Sequence, residues 1–506
     1  MVRLQTDGPR RVAPEKIARD LQEVTTNRYK FRPGERNTPT VTLRIANAAG
    51  FWGDDISAPR RLVETSTIDY LTLEYLAELT MSILAHLKSK DPHAGFATDV
   101  LTVMRDILPA LHRQPQLRVV TNAGGMNPGS CATAVSQILV DAGLGKEPVA
   151  VVRGDDLLPH LVQLQATGCS FTNLDTGKPL RDLGKPVVSA NAYLGASSIV
   201  EALEGDARLV ITGRVADASL TVGPLVHRYG WRWDQWDKLG AATVVGHLIE
   251  CGAQVTGGYS DRWRELDYVD IGYPIAEVEA DGSAIITKPV GSGGIVDRRS
   301  VAEQLLYEIG NPAEYYTPDV IADFRQVEVE ETEQDRVRVR GATGKPAPDS
   351  FKVSLAYQGG YTATAQLLVV GPDAADKGRF VAELILKRLA KIGISFQQSH
   401  VECLGAGRDS SHRTQSRIQA RAGREDQYEV VLRLTVRDSN RAAVERFTQE
   451  IAPLITNGPS GITGYASGRP AVRPVLAYWP TLVPKSLVKS VVEIGEANTW
   501  VQRGIV

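Results

Sequence analysis

The sequence predicts an α/β protein: a mostly parallel, Rossmann-like and doubly wound sheet with flanking helices, followed by an α+β part. From Thr40 onward, short β-branched runs alternate with stretches of helical periodicity, which is the pattern of parallel strands joined by crossover helices. Nearly all of these runs end in glycine, asparagine or charged residues. Beyond Tyr315 strands follow one another with two covering helices, which favours a ferredoxin-like, split β-α-β unit.

The elements of the first part are predicted in order along the chain. Apolar, β-branched runs predict strands at Val41–Ile45, Thr67–Thr72, Leu117–Thr121, Val149–Val152, Pro186–Ser189 and Arg208–Thr212. Apolar residues at helical spacing predict helices at Tyr75–Lys88, Cys131–Ala142, Ser197–Leu203 and Leu239–Cys251. The region that follows, with extended segments Tyr273–Val278 and Ala284–Lys288, is expected to close over the site.

The second part has a different texture. Alternating residues predict strands at Gln326–Val329, Arg336–Arg340, Lys352–Tyr357, Ala363–Val370 and Glu429–Val436, with helices at Lys377–Ile392 and Arg441–Ile451. Three segments are therefore expected: a polar, basic arm over residues 1–39, an α/β domain over 40–320 and an α+β domain over 321–506. The arm suggests a subunit contact, and we expect a homo-oligomer.

Composition and charge argue against several classes of function. Hydrophobic residues make up 43% of the 506 residues and charged residues 23%, as in an ordinary globular protein. The net charge of -2 and the pI near 6.5 give no field that would attract nucleic acid or an anionic membrane. No apolar run has the length of a membrane span, and the N-terminus lacks the apolar core of a signal peptide. Four widely spaced cysteines form no CxxC pair. We expect a cytoplasmic protein.

Polar residues directly follow the predicted strands. Asn47, Glu74, Asn122 and Asn191 stand at four strand ends, and Asp155 follows another. Because the carboxyl ends of parallel strands meet at one edge of a sheet, these loops are expected to converge on one polar small-molecule site. Asp155 also has the plain interpretation of a helix cap.

The run Val119–Ser130 passes from strand to helix through several glycines. Gly124 and Gly125, flanked by Asn122 and Asn127, would present backbone N–H groups to a phosphate or carboxylate at a helix N-terminus. The run lacks the spacing of a Walker loop or a dinucleotide fingerprint. The alternative is a tight turn that requires positive φ.

A second strand-to-helix junction, Ile211–Leu220, contains Arg214, Asp217 and Ser219. An arginine there can bind a carboxylate or phosphate through two hydrogen bonds, while Asp217 orients it or serves as a base. The alternative is an Asp217 helix cap beside a surface arginine. The apolar strand before it favours a buried, functional end.

On the predicted helix at 239–251, His247, Glu250, Cys251 and Gln254 share one face. This grouping is compatible with an acid/base pair at His247 or Glu250, a metal half-site, an activated thiol at Cys251, or a structural polar contact. Two metal ligands are too few, and no second half-motif follows, so we predict no metal.

Lys288 precedes a Gly-Ser-Gly-Gly turn that includes Ser292 and Gly293. A lysine beside such a turn suits a phosphate or an oxyanion. The alternative is a hairpin turn with an exposed lysine.

Several long runs in one order resemble the AtuA family of acyclic terpene utilisation proteins, namely Asn47–Gly53, Tyr75–Thr80, Thr121–Pro128, Asn191–Ala196, Thr212–Ser219 and Gly246–Ala253. The resemblance continues to Gly468-Arg-Pro470 and Tyr478-Trp-Pro480, so it spans most of the chain. It implies a place near the late hydration and cleavage steps in the degradation of citronellol- and geraniol-like compounds through branched acyl-CoA intermediates.

The leading hypothesis is an enzyme, a lyase or hydro-lyase, that removes a proton next to the carbonyl of a small or CoA-linked, branched carboxylic acid. Asp217, His247 or Glu250 would move the proton. Arg214, Lys288 and the glycine loops would hold anionic groups. No cofactor is expected beyond CoA as part of the substrate. The alternatives are a non-catalytic subunit that binds metabolites or acyl-CoA, and a phosphate- or nucleotide-dependent transferase.

Overall fold

The computed structural model describes residues 42–405 and 428–504, so the predicted arm over residues 1–39 lies outside the described residues. The strands are β1 (Leu43–Asn47), β2 (Tyr70–Leu73), β3 (Arg118–Thr121), β4 (Pro148–Arg153), β5 (Val187–Ala192), β6 (Leu209–Thr212), β7 (Ile275–Val278), β8 (Ala284–Thr287), β9 (Tyr315–Tyr316), β10 (Ile321–Asp323), β11 (Glu328–Glu333), β12 (Arg336–Arg340), β13 (Thr343–Lys345), β14 (Ser350–Val370), β15 (Gln398–Leu404), β16 (Glu429–Asp438), β17 (Ile462–Gly464), β18 (Arg473–Pro484) and β19 (Val491–Glu496).

The helices are α1 (Ala58–Thr65), α2 (Glu78–Lys90), α3 (Asp99–Arg113), α4 (Pro128–Asp141), α5 (Leu161–Ala166), α6 (Ser197–Glu204), α7 (Ser219–Tyr229), α8 (Trp236–Glu250), α9 (Arg298–Leu306), α10 (Ala374–Lys391), α11 (Arg441–Gln449), α12 (Leu454–Asn457) and α13 (Ala497–Arg503). None of these helices is long and apolar enough to cross a membrane.

A large mixed sheet with flanking helices confirms the α/β class. Its strand order is β11-β12-β8-β7-β1-β2-β3-β6-β4-β19. The five strands β1, β2, β3, β6 and β4 are parallel, and the strands on either side of them pair antiparallel. The carboxyl ends of the five parallel strands therefore share one edge, as the sequence predicts. The Rossmann-like and doubly wound assignment stays a prediction.

The central parallel strands of the large sheet are buried on both faces. Along β3, Val120 packs into one apolar cluster and Val119 into another, because successive side chains of a strand point to opposite faces. Parallel strands covered by helices in this way are apolar almost throughout, and all four residues of β2 and of β6 are buried. The side chains that directly follow these strands therefore begin in a low-dielectric environment.

One predicted strand belongs to a different sheet. The run Pro186–Ser189 was expected in the parallel sheet, but β5 pairs antiparallel with β14 of a second sheet. That part of the prediction is wrong, because strand propensity does not specify the pairing partner. Its end nevertheless returns to the large sheet through bridges from Asn191 to Asp156 and from Leu194 to Val215.

The second sheet has the order β15-β16-β14-β17, with β18 and β5 also paired to β14. The two predicted strands 352–357 and 363–370 are one strand, β14, whose pairing with β18 shifts register between Gln358 and Tyr361. Helices α10 and α11 cover this sheet around a third apolar cluster. The ferredoxin-like assignment stays a prediction.

Strands from beyond residue 320 also complete the large sheet. β12 pairs with β8, and β19 pairs with β4. The chain from Thr42 onward forms one compact unit. The predicted domain boundary near residue 320 stays a prediction. Both of these pairings join a strand from before the boundary to one from after it.

Candidate functional site

A cleft of about 440 Å³ opens at the edge where the parallel strands end. The residues that line it come from the ends of β1, β2, β6 and α8 and from the loop after α9. Six of them are acidic: Asp54, Glu74, Glu78, Asp217, Glu250 and Glu308. The cleft is therefore strongly acidic, and this was not expected for a site predicted to hold anionic groups.

Arg214 is buried beside the cleft, two residues past the end of β6. It is 2% exposed, and its Nη1 donates to the carbonyl oxygen of Leu76 at 2.8 Å. The same nitrogen lies 3.0 Å from Asp217 Oδ1 and 3.8 Å from Glu74 Oε1. The Arg214 guanidinium thus compensates two carboxyls, and the alternative of a surface arginine is wrong.

Burial dominates the electrostatics of these carboxyls. It raises the pKa of the Glu74 carboxyl well above its usual range, and the negative charge of Asp217 adds to the effect. Burial also raises the pKa of Asp217, and the neighbouring Glu250 and Glu78 carboxylates partly oppose the stabilising effect of Arg214. This group of carboxyls holds a proton more readily than exposed carboxyls do.

His247 is buried on α8, and both of its ring nitrogens face acceptors. Nδ1 lies 3.1 Å from Glu250 Oε1, and Nε2 lies 2.9 Å from the carbonyl oxygen of Gln304. Burial lowers the pKa of His247, but Glu250 and the Gln304 carbonyl more than offset it, so the pKa lies above its ordinary value. The contact with Glu250 therefore favours the protonated form of His247. Neither ring nitrogen of His247 is left to contact a ligand.

Three buried polar atoms around the cleft have no hydrogen-bond partner: Arg214 Nε, Asp217 Oδ1 and Glu250 Oε2. Asp217 Oδ1 has only its ion contact with Arg214. Buried polar atoms are normally paired, and an unpaired one costs free energy. Unpaired donors and acceptors beside one cleft are typical of a site that a ligand completes.

A residue from the second sheet reaches the same place. Lys352, on β14, lies 3.0 Å from Glu78 Oε1, which also accepts a 2.7 Å hydrogen bond from the Tyr193 hydroxyl. Burial alone would raise the pKa of Glu78, but Lys352 and Tyr193 lower it to about 2. The Tyr193 ring also packs against Arg214, 4.1 Å from the guanidinium carbon. Glu78, Tyr193 and Lys352 form one connected group with Arg214.

The predicted asparagines have partners within the protein. Asn47 donates to the carbonyl oxygens of Ala49, Ile249 and Glu250. Asn122 Nδ2 donates to Glu74 Oε2 at 2.5 Å, and its Oδ1 accepts from Tyr75 N. These two asparagines fix the loops that position Glu74 and Glu250.

Asn191 lies on the other side of Arg214. Its Nδ2 donates to Asp155 Oδ2, which also accepts from the backbone N–H of Arg214 at 2.9 Å. Asn191 and Asp155 are both buried, so the strand-end polar residues of β4 and β5 serve to orient Arg214. Asp155 therefore does more than cap a helix.

The Asn122–Asn127 loop lies outside the cleft lining. A Cβ on Gly124 would lie 2.5 Å from the Thr212 carbonyl oxygen, so this glycine permits close packing of two backbones. Gly125 has φ +47, as the turn alternative requires. Asn127 caps α4 through Ser130 N and donates to the carbonyl oxygens of Pro92 and Ala94.

Lys288 and Ser219 are engaged elsewhere. Lys288 pairs with Asp335 at 3.2 Å and donates to the Ser292 carbonyl oxygen. The Ser219 hydroxyl donates to Asp319 Oδ2 at 2.7 Å. Gly293 forms a backbone bridge with Ile271. The structure does not bring these residues into the cleft lining, and their binding role stays a prediction.

Cys251 lines the cleft, but burial raises its pKa far above its ordinary value. The thiolate form that a nucleophile requires is therefore disfavoured. Across residues 42–405 and 428–504, no three histidine, cysteine, aspartate or glutamate side chains are placed to hold one metal ion.

The sequence motifs assigned no role to four residues of the site, namely Glu74, Glu78, Tyr193 and Lys352. Glu74 and Tyr193 follow strands directly, so their position was a usable signal that was not followed to a role. Glu78 opens α2 and carried no motif. Lys352 lies near the start of a strand of the other sheet, and no local pattern could bring it to the cleft.

The fold and the cleft define an α/β protein with an acidic cleft at the carboxyl edge of its parallel strands. Residues 43–494 match the family model of the acyclic terpene utilisation family protein AtuA. The chain belongs to this family. No curated protein and no solved structure matches it.

Proposed function

We propose that the protein is a hydro-lyase that removes a proton next to the carbonyl of a small or CoA-linked acyl group and eliminates water. One observation carries the proposal: Asp217 and Glu250 line the same cleft, and each has a buried oxygen without a hydrogen-bond partner. Two carboxyls in different environments are what paired acid and base catalysis requires.

Glu250 is the proposed base. Its Oε1 is held by His247, while Oε2 has no partner and is available for a substrate proton. His247 acts as a positioning residue, because both of its nitrogens are occupied. This arrangement supports Glu250 over Asp217 and His247 as the base.

Asp217 is the proposed acid, since its raised pKa favours the protonated form that can give up a proton. Glu250 takes the proton from the carbon next to the carbonyl, and the C–H electron pair forms the new double bond. The C–O bond on the next carbon breaks, and Asp217 protonates the leaving hydroxyl, which departs as water. Solvent then restores both protonation states.

The negative charge of the cleft limits the kind of substrate that can bind there. Even with Glu74 and Asp217 protonated, four of the six acidic residues that line the cleft remain, against the nearby cations Arg214 and Lys352. A free carboxylate would be repelled, whereas an acyl thioester is uncharged at the reacting end. We therefore propose a thioester, with CoA phosphates outside the cleft, and Arg214 Nε as the donor to its carbonyl oxygen.

The test uses 3-hydroxyacyl pantetheine thioesters, which lack the phosphates of CoA, in deuterium oxide. We expect deuterium at the carbon next to the carbonyl, followed by NMR, and a product lighter by one water in mass spectrometry. Glu250→Gln should slow exchange by roughly a hundredfold or more. Glu308→Gln, an exposed acid on the same cleft, is the matched control and should retain exchange. Binding in a thermal shift assay without exchange or product would contradict catalysis and favour a binding subunit.

The cytoplasmic location and the homo-oligomeric state remain part of the proposal. Light scattering after size-exclusion chromatography of the full chain tests the second.

A further inference from the structure

Two aromatic side chains line the cleft while remaining open to solvent. Phe51 is 54% exposed and Tyr259 is 88% exposed, and both belong to the cleft lining. We call Phe51 and Tyr259 the mouth aromatics. Large apolar side chains with so little burial gain no stability from their position.

Tyr259 also has an unfavourable backbone conformation. Its φ is +65, in the left-handed region that glycine adopts without steric cost and that an aromatic residue rarely adopts. A glycine would suit the turn better, and the two preceding residues, Gly257 and Gly258, are glycines. Neither burial nor backbone preference explains a tyrosine here, and strain of this kind is concentrated at functional sites.

The cleft has room for more than the reacting atoms. Its volume of about 440 Å³ lies in the range of small-molecule sites, whereas Asp217 and Glu250 need only a carbonyl and two adjacent carbons between them. The rest of a ligand in the cleft therefore extends past these two carboxyls. The exposed wall that it then meets carries the mouth aromatics.

We infer that the mouth aromatics determine substrate specificity by packing against an apolar chain that extends beyond the reacting carbons. The inference rests on the proposed function, because it takes the acyl thioester as the occupant. Aromatic faces bind apolar chains through burial of area, so affinity rises with each methylene that they cover. Tyr259 holds its strained conformation to keep its ring at the open side of the cleft.

The experiment measures the affinity of acetyl, butyryl, hexanoyl and octanoyl pantetheine thioesters by calorimetry. Native protein is expected to gain about fourfold in affinity per methylene covered. Tyr259→Gly is expected to lose most of this gain while its Tm stays equal or rises, because the strain is relieved. Tyr259→Phe is expected to keep it. The matched control is Trp263→Ser: Trp263 is 61% exposed in the same loop but does not line the cleft, and its loss should leave the gain unchanged.

Three results would overturn the inference. One is equal affinity of the native protein for all chain lengths, and another is the same loss in Trp263→Ser as in Tyr259→Gly. The third is a change of oligomeric state in Tyr259→Gly with an unchanged chain-length dependence, which would assign the mouth aromatics to a contact with a second copy. If the native protein binds none of the thioesters, the proposed function itself fails, and the inference fails with it.

Discussion

At the residue scale, Asp155 shows how burial changes the pKa of a carboxyl beside the site. It is buried behind Arg214, and burial raises its pKa to about 6 despite hydrogen bonds from Arg214 N and Asn191. A carboxyl with a raised pKa in the folded state contributes stability that is present below its unfolded pKa, near 4, and is lost as the pH rises through about 6. Asp155 therefore reduces the stability of the protein at neutral pH.

Asp155→Asn removes this ionisation and tests the sign. The free energy of unfolding of the variant, relative to the native protein, is expected to rise by about 3 kcal/mol between pH 4 and pH 7. Urea unfolding at four pH values measures it. Asp141→Asn, at an exposed carboxylate, serves as the control. Parallel pH profiles of the native protein and Asp155→Asn would contradict the burial argument.

His247 is expected to act through Glu250 and not on the substrate. His247→Gln should lower kcat for the exchange reaction by roughly ten- to a hundredfold and leave KM nearly unchanged, because the base is misplaced while the binding surface remains. Steady-state kinetics over a range of thioester concentrations separates the two constants. A rise in KM with an unchanged kcat would instead place His247 in direct contact with the substrate.

At the scale of elements, Asn47 ties the end of β1 to the end of α8. Two of its three hydrogen bonds to backbone carbonyls are buried and the third is partly buried, so Asn47→Ala should cost about 3 kcal/mol of unfolding free energy. Asn127→Ala removes a partly exposed helix cap and should cost about 1 kcal/mol. Urea unfolding compares them, and equal losses would contradict the role given to Asn47.

Local sequence pattern predicted the helices and the parallel strands, but it did not predict how all the strands pair. Four predicted helices coincide with α2, α4, α6 and α8 to within a few residues, because each is an apolar-rich segment longer than a typical strand and has no proline in its interior. The parallel strands were equally clear, since buried strands are continuous apolar runs. The pairing of β5 with β14 was not predictable, because it joins residues more than 150 positions apart. The sequence predicted two separate strands at Lys352–Tyr357 and Ala363–Val370, whereas the structure has one strand with a register shift between Gln358 and Tyr361.

At the scale of the whole molecule, the site draws on both parts of the chain. The site residues predicted from the sequence all precede residue 294, whereas Lys352 reaches Glu78 from the second sheet. Asp217 and Glu250 could be predicted as site residues, because Asp217 follows the end of a predicted strand and Glu250 lies on the polar face of a predicted helix. The acidic character of the cleft was not, since it depends on which loops the fold brings together.

Two substitutions that each remove one charged side chain test the contribution of Lys352 to the site. Lys352→Met should lower kcat/KM about tenfold or more, because Glu78 would lose its cation beside Arg214. Glu402→Ala removes an ion pair with Arg433 on β16, away from the cleft lining, and should leave kcat/KM within a few-fold. Arg469→Ala should likewise leave kcat/KM within a few-fold. We predict the same for His412→Ala, at a residue that lies outside the described residues. A large loss in Glu402→Ala, with unchanged circular dichroism, would contradict this division.

The most direct test of the acid/base cleft is a crystal structure with an unreactive acyl pantetheine analogue whose thioester sulfur is replaced by a methylene. We expect its carbonyl oxygen within hydrogen-bond distance of Arg214 Nε and the adjacent carbon next to Glu250 Oε2, so that both buried atoms gain a partner. Density for the analogue at the opposite edge of the sheet, in the groove beside Arg118 and Arg208, with an empty cleft, would contradict the account.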